Sequence, residues 1–410
     1  MKKQIIKRLT ALLLAVVCTA TFYTMAYAAA IVYNTIELEH IAEIENQEYT
    51  DENDNRIVYT AVGGIAAGTN RTSMFVMKSE NRDTDYVSER MALFYDFPDI
   101  NDLTKRKYYF LPQAGHANGM AIDDYNIYIC GWTKENELLE DAVEELEPVY
   151  PDIDKSTEVP NNWIIKLPRN KFSDFRKAGN GYTILKDDPN TTEVEGYTLL
   201  RPIIDGTTDT LFKKDIRNIT KYNSNKTFLV QYFMDGIGNN LAYTTARLVT
   251  ENGVEKFYVS IDPDDIFIVE NNVLFYDGTL QDICYSPGNG LFIPIWYSPS
   301  SANSPNANLT NKNKSVIMWV DLSTTNNPKL STITIEDETY RYYTQPDKIN
   351  VNQSGKGYDK FEVESIAITD DDEMLFSANI KKAKSQQGEL TNIDSVFKLT
   401  HDNGQNFVLQ

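Results

Sequence analysis

Asn118-Gly119-Met120-Ala121-Ile122-Asp123, Gln281-Asp282-Ile283-Cys284-Tyr285-Ser286 and Glu364-Ser365-Ile366-Ala367-Ile368-Thr369 are three copies of one short phrase. Each opens on a small or polar pair, runs through alternating strand residues and ends in a polar turn. Weaker copies start at Gly63 (Gly63-Gly64-Ile65-Ala66-Ala67-Gly68) and at Thr244 (Thr244-Thr245-Ala246-Arg247-Leu248-Val249). A repeated antiparallel unit that cannot bury its own faces must stack on its neighbours. In an all-β chain this reads as propeller blades.

Beyond each phrase the grammar continues. Asp123-Asp124-Tyr125-Asn126 turns into a strand ending at Trp132, and Trp163 to Leu167 supplies a third. Pro287-Gly288-Asn289-Gly290 turns into Leu291 to Trp296, then Val316 to Leu322. Asp370-Asp371-Asp372 turns into Met374 to Ala378, then Ser395 to Leu399. Asp, Asn and Gly supply the tight or positive-φ geometry that hairpins need. Five units predict a single five-bladed β-propeller over residues 29–410, with a diverged sixth blade to be sought in 170–242. A β-sandwich also has many short strands, but it would not repeat one signature. Polar stretches at 135–160, 187–208 and 298–314 read as long loop inserts. Leu138, Leu139, Val143 and Leu146 recur at helical spacing, which predicts a short acidic helix over 135–147.

Residues 1–28 have the form of a secretory signal peptide. Lys2, Lys3, Lys7 and Arg8 precede an apolar centre from Leu12 to Val17, and Ala26-Tyr27-Ala28 offers a small-residue cleavage site before Ala29. No later stretch approaches the ~20 apolar residues of a spanning helix, so a secreted, extracellular chain with no transmembrane anchor is expected. Losing those four cations moves the net charge from -20 to about -24. Such a chain repels phosphate backbones and anionic membrane, so nucleic acid is not an expected partner. Cys130 and Cys284 remain after cleavage and read as two buried thiols.

The run Phe361-Glu362-Val363-Glu364-Ser365-Ile366-Ala367-Ile368, with Ile393 to Leu399 after it, resembles the C-terminal blade of helveticin J-like proteins. Ala114-Gly115-His116 before Tyr128-Ile129-Cys130-Gly131-Trp132, then Trp163 to Leu167, is similar to an earlier blade of that family. The resemblance covers about a third of the chain and implies a bacterial secreted or surface propeller, bacteriocin-like in role. It carries over no activity determinant.

No His-Glu-x-x-His, Gly-x-Ser-x-Gly, phosphate-binding glycine loop or zinc cysteine cluster is present, and the only histidines are His40, His116 and His401. That absence leans against catalysis. Attention falls on the starts of the repeat units, which would ring a channel mouth: His116, Asn118, Gln281, Asp282, Glu362 and Glu364. Oxygen-rich groups there could hold Ca2+, or Glu362 and Glu364 could act as a carboxylate pair. Polar turn formers are the plainer reading. The acidic runs 51–55 and 370–373 read as solvated turns. Trp132, Trp296 and Tyr297 lead into loops and could stack on sugars, whereas Trp163 and Trp319 read as core. Beside a structural or envelope-associated role without a small ligand, two functions follow. The first is a binding protein for an extracellular glycan or protein surface, and the second is a propeller hydrolase using channel carboxylates, with or without a divalent cation.

Overall fold

A computed structural model describes residues 36–44, 47–50, 56–67, 74–80, 92–97, 99, 107–111, 119–131, 163–169, 176–178, 181–183, 198–214, 216–233, 241–269, 278–287, 290–297, 315–320, 322, 330–335, 338–343, 347–350, 360–369, 373–383 and 390–401. Among them the chain is almost wholly β-strand, gathered into five sheets of seven, four, eight, five and five strands in chain order. Each sheet contributes an innermost strand: Arg56–Ala67, Met120–Ile122, Ile216–Tyr222, Cys284–Ser286 and Lys360–Ile368. Each of these packs beside the next, and the last packs beside the first, giving a propeller-like ring. Strand Ile36–Glu43 joins the fifth sheet by pairing antiparallel with Ser395–His401, so the fifth sheet is built from both ends of the described chain.

The expected architecture is corrected in three respects. No helix is present among the described residues, and the acidic segment 135–147 lies outside them. The uniform three-strand blade is not kept either. The third sheet has eight strands and recruits Pro202–Ile204 and Glu338–Tyr343 through parallel pairings, which a simple meander never makes. Finally, Thr244 does not start a unit. It lies within Leu241–Glu251, which pairs with both Ser224–Phe233 and Val254–Val259. The innermost strand of that sheet is Ile216–Tyr222, inside the region where a sixth blade was sought. Alternation alone cannot separate an inner strand from an interior one, because both are packed on two faces.

The sheets meet through apolar faces. Between the second and third, Tyr128 and Phe228 make an edge-on ring contact at 4.7 Å amid Ile164, Ile219 and Phe257. Between the fourth and fifth, Phe376 and Phe397, cross-strand partners of the fifth sheet stacked at 5.4 Å, share one cluster with Phe292, Ile317 and half-buried Trp319 of the fourth. Burying each such ring contributes roughly 1.5–3 kcal/mol, so this packing is the main cohesive term between sheets.

The polar pair that opens the sequence phrase turns out to be a β-bulge. The ladder slips by one residue at Gly63-Gly64 in the first sheet, at Arg217 in the third and at Glu364 in the fifth. In the fourth, three residues (Gln281 to Ile283) face two between the pairs Leu280–Ile295 and Cys284–Phe292. A bulge kinks its strand and re-aims the neighbouring side chains, here at the same level of four inner strands. In the second sheet Gly119 serves that level by close approach. A Cβ there would lie 2.7 Å from Asn218 Cα and 2.8 Å from Ile219 N, both backbone atoms of the next sheet. Gly119→Ala should therefore lower unfolding free energy by about 1–3 kcal/mol in a denaturant titration. An unchanged midpoint would show that the two sheets are not so closely apposed.

Candidate functional site

Polar side chains collect where the bulges meet. Ser365 Oγ accepts the Ile65 N–H at 2.9 Å and donates to Asp282 Oδ2, joining the first, fourth and fifth sheets. The Asp282 N–H reaches the Glu364 carbonyl at 3.2 Å. Ser377 Oγ donates to the Gly63 carbonyl at 2.8 Å. A second chain of bonds crosses the third, fourth and fifth sheets. Gln231 Nε2 donates to Tyr243 Oη at 2.9 Å, and Asn218 Nδ2 donates to Gln231 Oε1 at 2.5 Å and to the Gln281 carbonyl at 2.6 Å. Gln281 Nε2 then donates to Glu362 Oε1 at 2.7 Å.

Burial grades along this network. Asp282, Ser365 and Tyr243 are fully enclosed, whereas Gln281, Glu362 and Asn379 each keep 6% exposure, and Glu364 is half-buried. Gln281, Glu362 and Asn379 are thus buried too, only slightly less completely than Asp282. Glu362 and Asn379 are directly opposed in the ladder of the fifth sheet, so their side chains leave on one face.

Desolvation pushes the Asp282 carboxyl well above the usual carboxylate range, against the opposing pull of the Ser365 hydroxyl and the nearby amides of Ile283 and Ile366. Its Oδ1 makes no hydrogen bond of good geometry. Cys130 and Cys284 are both buried and free. Burial first, and then the charge of Asp282, raises both thiols, Cys284 to about 12. These are inert sulfurs, as expected of thiols in the core. Burial likewise raises the Tyr243 phenol.

The predicted site residues divide as follows. Gln281, Asp282, Glu362 and Glu364 come together around one junction. His116, Asn118 and Trp132 lie outside the described residues, as do the acidic run 51–55, residues 370–372 and the signal segment 1–28. Trp296 is half-buried and pairs with Thr279 and Ser315 in the fourth sheet, and Tyr297 ends the same strand. Among the described residues no group of three or more His, Cys, Asp or Glu side chains could hold a metal ion. Nor do the described residues include a helix long and apolar enough to cross a membrane.

Sequence reasoning missed Asn218, Gln231, Ser365 as a bonding partner, and Asn379. Asn218 was within reach. Asn218-Ile219-Thr220, followed by the Asn223-Ser224-Asn225 turn and Phe228-Leu229-Val230, follows the repeat grammar more closely than Thr244 does. Asn379 and Gln231 lie on second strands, where only ladder register assigns them to the site.

No family model matches the chain, and no curated protein does. Solved structures similar to it include the periplasmic gluconolactonase of Pseudomonas aeruginosa, at 8% identity over 88% of this chain and 82% of that one, with a TM-score of 0.33. The Trypanosoma rangeli sialidase is similar at 8% identity over 89% of this chain and 59% of that one, with a TM-score of 0.37. The parainfluenza virus 5 hemagglutinin-neuraminidase matches at 8% identity over 91% and 96%, with a TM-score of 0.34. Likeness this distant carries nothing about substrate or residue roles.

The helveticin J-like resemblance is corrected, together with the bacteriocin-like binding role it implied, since neither a family model nor a curated protein supports it. The residues that carried it, Phe361, Val363 and Ile366, are filling for an inter-sheet core, which any propeller-like chain needs. The lean against catalysis is also corrected. It rested on missing linear motifs, yet the chain assembles a buried acidic network from residues 81 positions apart.

The buried carboxyl has a measurable consequence. With a folded pKa above the unfolded value of about 3.9, Asp282 binds its proton more tightly in the native state. Its contribution is fully present below that pH and is lost as pH rises toward the folded pKa. The stability of Asp282→Asn relative to wild type should therefore improve steadily as pH is raised from about 4 to 9, read from denaturant midpoints. A difference that stays constant across that range would place Asp282 in a solvated environment.

Proposed function

We propose that this chain is an exported hydrolase whose general base is the carboxyl group of Glu362, held in place by the sealed carboxyl of Asp282. The observation that supports it is the contrast in setting between two carboxyls on adjacent inner strands. Glu362 keeps 6% exposure, and its Oε1 is fixed by Gln281 Nε2. Asp282, one residue from Gln281, is sealed and holds its proton to higher pH than an exposed aspartate would. A carboxyl oriented by an amide, on a strand fixed by a second, sealed carboxyl, is an arrangement suited to a general base.

In this reading Glu362 takes a proton from water attacking an ester, lactone or glycosidic centre and returns it to the departing oxygen as its bond to that centre breaks. Asp282 acts behind it as a positioning residue: its N–H holds the Glu364 carbonyl and its carboxyl takes the Ser365 hydroxyl, which fixes the inner strand that carries Glu362. Residues 1–28 direct export, with cleavage before Ala29, and the catalytic unit is 29–410. The acidic surface then serves to keep the exported chain dispersed.

The test is turnover by the mature protein of aryl esters, lactones and aryl glycosides. Glu362→Gln should cut kcat by at least about 100-fold, the scale of a lost general base, with its denaturation midpoint near that of wild type. Asp282→Asn should change kcat less and shift the pH profile. Absence of turnover on all three substrate types, or full activity in Glu362→Gln, would overturn the proposal.

A further inference from the structure

Between Ser315–Val320 and Asp347–Asn350, two paired strands of the fourth sheet, the chain makes an excursion. Leu330–Ile335 and Glu338–Tyr343 form a hairpin that joins the third sheet instead, through the parallel pairing of Glu338–Tyr343 with Phe267–Val269. Leu330–Ile335 ends that sheet, and among the described residues Glu338–Tyr343 is its only partner. A strand so placed offers a row of backbone donors and acceptors for pairing.

Outside the inner strands of the ring, the other edges are guarded against this. Ile36–Glu43, Gln47–Thr50, Arg176–Ala178 and Asp347–Asn350 all contain charged residues. Pro202–Ile204 opens on a proline, and Thr198–Leu200, Gly278–Leu280 and Leu390–Asn392 are only three residues long. Charge, proline and shortness are the usual devices that keep edges from pairing with another chain. Leu330-Ser331-Thr332-Ile333-Thr334-Ile335 has none of them, and from Thr332 onward every residue is β-branched.

Independently of the hydrolase reading, we propose that Leu330–Ile335 is a homodimer interface, pairing antiparallel with the same strand of a second copy so that two third sheets become one. The sequence around the strand is complementary to itself. Lys329 precedes it, and Glu336 and Asp337 follow it. A two-fold axis perpendicular to a sheet sets one residue of a strand opposite its own copy. Centred on Ile333, the ladder puts Lys329 opposite Asp337 of the partner subunit at both ends, and pairs only uncharged residues between Ser331 and Ile335. Moving the centre to Thr332 or Thr334 leaves Lys329 facing Ile335 or Thr339, with no carboxylate opposite. Charge thus fixes both the partner and the register, since opposite charges stabilise a cross-strand pair and like charges oppose it.

The experiment is sedimentation velocity of the mature protein from about 1 to 200 μM, a range suited to the weak affinity of so small a contact. A monomer–dimer equilibrium is expected there. Lys329→Asp and Asp337→Lys should each raise the dissociation constant at least about fivefold, and the double exchange should bring it back to within about twofold of wild type. Neither residue belongs to the two strands of the hairpin, so these variants leave its ladder intact. Ile333→Cys should give a disulfide-linked dimer on mild oxidation, because that residue faces its own copy. Ser331→Cys, which faces Ile335 of the partner subunit, should not. Hydrogen exchange needs no variant: the amides of 330–335 should exchange more slowly at the high concentration than at the low one. Protection that is the same at both would show this edge covered within one chain and would overturn the proposal. A chain that stays monomeric throughout would do the same, as would a dimer indifferent to both charge variants.

Discussion

The ring holds only because its last sheet is completed by the strand nearest the start of the described chain. Ile36–Glu43 and Ser395–His401 form seven ladder pairs, and His40 Nε2 lies 3.2 Å from Ser395 Oγ across 355 positions of sequence. Bringing such distant segments together costs about 5 kcal/mol of loop-closure entropy. Seven backbone pairs at a net 0.5–1.5 kcal/mol each contribute about 3.5–10 kcal/mol, a term of the same size. Burial of Ala42 and Ile44 against Val62, Val76 and Val396 adds to it, and locks the fifth sheet onto the first. Every inner strand is held between two neighbours only while this closure persists. The bulges that aim Asp282, Glu362 and Ser365 depend on it in turn.

Against that cohesion stands the polar axis. A fully enclosed aspartate with one unbonded oxygen, and amides in single file across three sheets, stabilise less than well-packed apolar side chains would. What they add is register. Asn218 reaches both Gln231 on its own sheet and the Gln281 carbonyl on the next, so sliding either strand by one residue would strand several buried polar groups at once. The apolar clusters between sheets would tolerate such a slip far better, since Ile, Val and Phe can repack. The polar chain therefore specifies the alignment that the apolar contacts stabilise.

How much of this could be read from sequence follows from the same division. The all-β character and the inner-strand phrase were legible because they are local: turn chemistry at Asp123 to Asn126 and alternation from Ile366 to Ile368 are set by neighbours in the chain. The opening pair of the phrase was legible as a recurring oddity, though not as a bulge, because a bulge is defined only against a partner strand. Thr244 was mistaken for a unit start because its alternation matches that of an inner strand. Asn218 was passed over although its surroundings fit the phrase. Glu362 and Gln281 were both named as candidates, but their bond was not foreseeable, because it depends on which sheets are neighbours around the ring. Asn379 was invisible, since register alone places it opposite Glu362.

The bulge is where structure and chemistry become one problem. A regular inner strand would alternate strictly, committing every second residue to an apolar interface and leaving no room for a carboxyl beside the axis. One extra residue breaks that commitment locally, so that Glu364 and Ser365 both follow Val363 before Ile366 returns to the apolar cluster. The unpaired backbone this creates is taken up between sheets, as when the Asp282 N–H bonds the Glu364 carbonyl. Each sheet's irregularity is thus satisfied by its neighbour's. A propeller-like ring can accumulate polar groups at its centre without losing closure, and a single substitution at that level alters packing and chemistry together.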